Sequence, residues 1–94
     1  ADASRAAAAA TAPKRKLSFK EKHALETLPA RIAALEAEIV SLQSRIADPS
    51  LFARDKAAFE AATRRLGAAE AELADAETQW LELEMLRESL ASEA

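Results

Sequence analysis

The sequence predicts an all-α fold: an antiparallel two-helix coiled-coil hairpin with a short N-terminal helix packed at its base. Three observations carry this expectation. Leu28, Ile32, Leu35, Ile39, Leu42 and Ile46 succeed one another at spacings of 4, 3, 4, 3 and 4 residues, a 3.5-residue periodicity that asks for a partner helix. Phe59, Leu66, Leu73 and Trp80 recur every seven residues, with Ala62, Ala69, Ala76 and Leu83 between them, so the same chain supplies that partner. Between the two runs stands Asp48-Pro49-Ser50, a stop-and-turn signal. The composition agrees. Of 94 residues, half are hydrophobic, many of them alanine, with one glycine, three prolines and no cysteine, the balance of long helices rather than of a mixed fold.

Residues 1–16 read as a flexible linker. "ADASRAAAAATAPKRK" has no large apolar side chain to bury, and Pro13 interrupts the alanine tract. The helical-hairpin domain is expected over 17–94. It opens at Ser18, which with Glu21 forms a capping box. The short helix after it carries Leu25 and Leu28. Pro29 disfavours helical geometry at Leu28, so a break or kink is expected there, with Pro29 opening the next helix. That helix runs over 30–47, about 27 Å at 1.5 Å per residue. Asp48-Pro49-Ser50 stops it, and Asp55, or Ser50 locally, caps the last helix. This last helix, over about 55–90, is roughly twice as long. Its overhang leaves Phe19, Leu25 and Leu28 to cover Trp80, Leu83 and Leu86.

Antiparallel pairing sets Ile46 near Phe59, Ile39 near Leu66, Ile32 near Leu73 and Leu25 near Trp80. Large residues on the first helix face a second seam in which large residues alternate with alanine, which lets the helices interdigitate closely. Phe52 and Phe59, two of the three phenylalanines, are expected to plug the tip. Leu81, Met85 and Leu86 are expected to thicken the apolar face near the C-terminus, or to mediate self-association.

No catalytic constellation is visible. Gly67 is the single glycine, too few for a phosphate-binding loop; mid-helix, it serves close helix contact or is simply tolerated. His23 is the single histidine and reads as a solvated surface residue. Glu36/Glu38, Glu70/Glu72 and Glu82/Glu84 are two apart and so do not face one way on a helix; they read as solubilising flanks, not metal ligands. No apolar run approaches the length of a membrane span. The absence of cysteine excludes a disulfide framework and a thiolate metal site and fits a reducing compartment.

Charge is more informative. Net charge is −3, yet residues 1–22 carry +4 and the remainder −7. Lys14, Arg15, Lys16, Lys20 and Lys22 form a basic arm. Arg45, Arg54, Lys56, Arg64 and Arg65 cluster about the tip, offset by Asp48, Asp55 and Glu60. Clustered cations bind phosphates by releasing counterions; they can equally be a solvated face.

The segments "KLSFKEKHALETLPARIAALEAEI", "ADPSLFARDKAAFEAATRRLGAAEAEL" and "WLELEMLRE" carry K-L-S-F-K-E, L-E-T-L-P at Leu25–Pro29, D-P-S-L-F at Asp48–Phe52 and W-L-E-L-E from Trp80. Together, from Lys16 to about Glu88, they resemble the C-terminal domain of the Uup branch of the ABC-F proteins, ATPases with two tandem nucleotide-binding cassettes and no membrane domain. The resemblance implies a non-catalytic coiled-coil accessory domain tethered behind the second cassette and associated with DNA binding. ATP and magnesium would belong to the parent's cassettes and no cofactor to this domain. The expected partner is DNA or RNA, with docking on the cassettes or the ribosome as the alternative, no membrane contact, a monomeric state and a cytoplasmic location. Lys14, Arg15, Lys16, Lys20 and Lys22 would contact phosphates, with Arg54, Lys56, Arg64 and Arg65 as a second patch.

Overall fold

The computed structural model describes residues 16–92. Among these it contains three helices: α1, Phe19–Ala47; α2, Pro49–Arg54; and α3, Lys56–Ser92. α1 and α3 pack side by side as the arms of a hairpin, and α2 closes the tip between them. Apart from Lys16, the expected linker lies outside the described residues.

α1 begins where the capping box places it. The Ser18 hydroxyl accepts from the Glu21 amide at 3.1 Å, and the Glu21 carboxylate accepts from the Ser18 amide at 2.8 Å, satisfying two donors that the first turn leaves orphaned. The helix then runs through Pro29 without interruption. The expected separate N-terminal helix is therefore the first turns of α1. The physical reason is that Pro29 withholds one N–H and strains one turn, whereas a break would unseat Leu28, which is buried in the seam. The base of the hairpin is covered by a different set of residues from the one expected: Leu28 and Ala24 pack in the same cluster as Trp80 and Leu83, and Lys20, Glu21 and Ala24 share a groove with Gln79 and Leu83. Phe19 does not join them. It is 86% exposed and stacks on His23 at 6.4 Å.

Two ion pairs fix the antiparallel register. Arg31 meets Glu72 at 3.2 Å, and Glu38 meets Arg65 at 2.6 Å, seven residues forward on α1 for seven backward on α3. The buried seam keeps the same step: Leu28, Leu35 and Leu42 on α1 match Ala76, Ala69 and Ala62 on α3. These leucine–alanine layers are the core, and Ala69 at their centre is 0% exposed. Ile32, Ile39 and Ile46 pack against that core from one arm, Leu66, Leu73 and Trp80 from the other, all half-buried. Large therefore faces small as the sequence required. Alanine at every second seam position of α3 brings the backbones close enough to bury the leucine opposite, at about 1.5–3 kcal/mol for each leucine fully removed from water. Gly67 lies outside this contact: it is exposed, and a Cβ there would meet nothing within 4 Å, so it is a tolerated residue rather than a close-packing one.

At the tip Asp48 acts twice. Its backbone ends α1, donating to the Arg45 carbonyl at 3.2 Å, and its carboxylate starts α2 by accepting from the Ser50 amide at 2.9 Å and hydroxyl at 2.8 Å. Pro49 occupies the first turn of α2, where its missing N–H costs nothing. The turn is thus a six-residue helix rather than a bare reversal. Asp55 ends it and caps α3, its carboxylate accepting from the Ala58 amide at 3.0 Å. The expected aromatic plug is corrected in one respect: Leu51 is the buried residue of α2. Phe52, 50% exposed, lies outside it and meets Phe59 edge to face at 5.2 Å.

Candidate nucleic-acid interface

The interface suggested by the charges has two parts, and the fold keeps them apart. Lys16, Lys20 and Lys22 lie at the start of α1; Arg54, Lys56, Arg64 and Arg65 surround or approach the tip. From Lys20 to the end of α1 is about 40 Å at 1.5 Å per residue, so no single phosphate reaches both. Lys14 and Arg15 lie outside the described residues.

At the base, Lys16, Lys20 and Lys22 are all exposed, and none has an ion-pair partner among the described residues. Lys20 and Lys22, two residues apart on a helix, project to different sides, so the arm presents charge around the helix rather than as one flat patch. Lys20 overhangs the groove it shares with Gln79 and Leu83. The amino end of α1 adds the positive pole of its dipole to the same region.

The tip residues differ from one another. Arg54 donates to the Ser50 hydroxyl at 3.0 Å, which keeps its guanidinium against α2. Lys56 stands 5.9 Å from the Phe52 ring centroid, at the outer limit of cation–π contact. Arg64 is exposed and has no ion pair among the described residues. Asp48, which faces Arg54 across Ser50, is held below the ordinary carboxylate range, first by the Ser50 hydroxyl and amide and then by the Arg54 charge. Glu60 stands between Lys56 and Arg64 at helical spacing, so the tip is a mixed surface.

Arg65 is committed elsewhere. Its Nε and one terminal nitrogen donate to both oxygens of Glu38 at 2.6 and 2.7 Å, and the other donates to Glu72 at 2.8 Å. Glu72 also accepts from Arg31. This chain of four side chains, Arg31–Glu72–Arg65–Glu38, crosses from one arm to the other and back. The hydrogen bonds from Arg65 pull Glu38 below the usual carboxylate range, and the two carboxylates raise Arg65 further above its own ordinary value. A bidentate guanidinium so placed registers the hairpin and would have to leave two carboxylates to reach a phosphate. The signal was present in the sequence as Glu38 and Glu72, but only the interhelical register says that Arg65 faces both.

Among the described residues no cluster of His, Cys, Asp or Glu is placed to hold a metal ion, and no helix is long and apolar enough to cross a membrane. The feature that charge reasoning passed over is apolar. Leu81 and Met85, expected to thicken the apolar face near the C-terminus or to mediate self-association, are 54% and 61% exposed, and Leu81 lines a groove of about 410 Å³ with Pro29, Ile32, Glu77 and Trp80.

Comparison with known sequences gives a consistent result. A family described as "ABC transporter C-terminal domain" matches residues 16–85. The "ATP-binding protein Uup" of Caulobacter vibrioides is 46% identical over 88 residues, covering 92% of this chain and 14% of that protein. The "ATP-binding protein Uup-like" of Haemophilus influenzae is 44% identical over 69 residues, 73% of this chain and 15% of that protein. A second Haemophilus influenzae protein, "ATP-binding protein Uup", is 39% identical over 69 residues, 73% of this chain and 11% of its own length. The chain thus spans about one-seventh or less of these relatives. No solved structure is significantly similar to it.

Proposed function

Because the chain belongs to the ABC transporter C-terminal domain family, found in Uup-type ATP-binding proteins, we propose that it is the non-catalytic nucleic-acid-binding domain of a tandem-cassette ATPase, with DNA as the preferred partner. The observation that carries this is the set of exposed lysines Lys16, Lys20 and Lys22 where the chain joins α1, which have no ion-pair partner among the described residues and are continuous in sequence with Lys14 and Arg15. ATP and magnesium belong, in this reading, to the cassettes of the parent protein, which works in the cytoplasm. The hairpin contacts backbone phosphates without reading bases, and by tethering it raises the concentration of the ATPase near its nucleic acid. Arg54, Lys56 and Arg64 serve as a weaker second patch at the tip. Arg65 contributes to register.

The test is fluorescence anisotropy of a labelled duplex titrated with the chain. Three phosphate contacts from the described lysines predict roughly a 40-fold loss of affinity between 50 and 200 mM salt. Reversing the arm charges Lys14, Arg15, Lys16, Lys20 and Lys22 to glutamate abolishes binding and leaves helicity intact, because acids are favoured at a helix amino end. Binding that survives this reversal overturns the site. A second reading, docking on the ATP-binding part of the polypeptide or on the ribosome, is supported by the exposed Leu81 and Met85.

A further inference from the structure

We propose that the groove between α1 and α3 near the base of the hairpin docks onto the ATP-binding part of the same polypeptide, taking an apolar side chain flanked by a lysine or arginine. This rests on the docking reading above and is independent of nucleic-acid binding. The groove, about 410 Å³, has Pro29, Ile32, Trp80 and Leu81 as its apolar walls and Glu77 at its rim. A smaller depression of about 240 Å³ continues it past Trp80 and Leu81 to Glu84, Arg87 and Glu88. Met85, one helical turn beyond Leu81, extends the exposed apolar flank. Contiguous apolar surface of this kind with a polar rim marks an interaction site, and a half-buried tryptophan is the residue type that most often anchors one.

The charges at the rim select the occupant. Arg87 is paired with Glu84, while Glu77 and Glu88 have no ion-pair partner among the described residues. Uncompensated carboxylates repel phosphate, which excludes nucleic acid from this face. They also disfavour a second copy, because a two-fold arrangement on this patch would set each rim against its own like charges. A basic flank on an apolar anchor satisfies both the groove and its rim. The location supplies the source. The polypeptide preceding Lys16 joins the hairpin at this same end, and the relatives carry several times the length of this chain. Attachment to the same polypeptide makes docking an intramolecular event with its own effective concentration, so a modest apolar contact is enough.

The composition provides the assay. Trp80 is the only tryptophan and Met85 the only methionine, so one indole N–H signal and one methionine methyl signal report on the groove. Gly67, the only glycine, lies about 20 Å along α3 from Trp80 and gives a remote amide control. The chain is labelled with 15N and 13C-methyl, and its spectrum is compared free and after ligation to the unlabelled remainder of its polypeptide. Docking shifts both groove signals and leaves Gly67 in place, and Leu81→Lys returns both to their free positions. Groove signals that do not move on ligation overturn the site; if other signals move instead, docking survives at a different face. Shifts of the free chain with its own concentration identify a second copy, and shifts on adding duplex DNA identify nucleic acid. Either result overturns the proposed occupant.

Discussion

Exchanging the central layer of the seam tests the register most directly. Leu35 and Ala69 lie between the ion pairs Arg31–Glu72 and Glu38–Arg65 and are 5% and 0% exposed, so each fills the space opposite the other. Leu35→Ala removes a buried leucine and leaves two alanines facing. Burial alone is worth about 1.5–3 kcal/mol, and the added cavity term is small because two helices with open flanks can close on the void. The expected loss is therefore about 2–3 kcal/mol. Ala69→Leu adds bulk where none fits and costs about 1–2 kcal/mol, toward the low end for overpacking because the arms can splay. The double variant swaps the large and small residues across the layer and retains total volume, so it costs about 1 kcal/mol. The coupling between the two sites is then about 2–4 kcal/mol. Urea unfolding monitored by circular dichroism at 222 nm measures all four corners. Additive effects, with coupling below about 0.5 kcal/mol, would refute the claim that these residues face one another.

Two shorter predictions concern the same hairpin. Pro29→Ala restores an amide donor in the middle of α1 and raises stability by about 1–3 kcal/mol; a loss in urea unfolding would mean that the proline ring is needed where it stands. Glu38→Gln destabilises the hairpin at pH 7, and the gap from the parent chain closes as pH falls. The Glu38 carboxylate is held below its ordinary range by Arg65, so its contribution is complete above the unfolded value of about 4 and disappears as the folded carboxylate takes up its proton. A gap that persists unchanged at about pH 2.5 contradicts this assignment to the charged form.

How much of this was legible in the sequence divides by the range of the interaction. Heptad spacing depends on positions along one helix, and together with the stop at Asp48-Pro49-Ser50 it determined the hairpin, its antiparallel sense and the large-against-small seam. Capping at Ser18 and Asp55 depends on side chains reaching backbone three residues away, and it too could be read directly. Local rules failed where packing over the whole arm outweighed them. Pro29 argues for a break by its own chemistry, yet Leu28 is buried one residue earlier, and seam continuity prevails over a single missing hydrogen bond. Asp48-Pro49-Ser50 reads as a turn, but whether Leu51 or Phe52 fills the tip depends on which side of a six-residue helix faces the two arms.

The candidate sites divide in the same way. The basic arm is a property of composition and was visible as such. Arg65 and Arg64 are adjacent and chemically identical, and only the register of α3 against α1 gives one a pair of carboxylates and leaves the other in water. Leu81 and Met85 look like core in one dimension because they are apolar and helically spaced. Burial, however, belongs to a pair of surfaces, and the packing of α1 on α3 leaves more than half of each exposed. By itself the sequence determined the two long arms and the seam along which they join. The tertiary structure decided which side chains that seam consumes and which it leaves exposed for a partner.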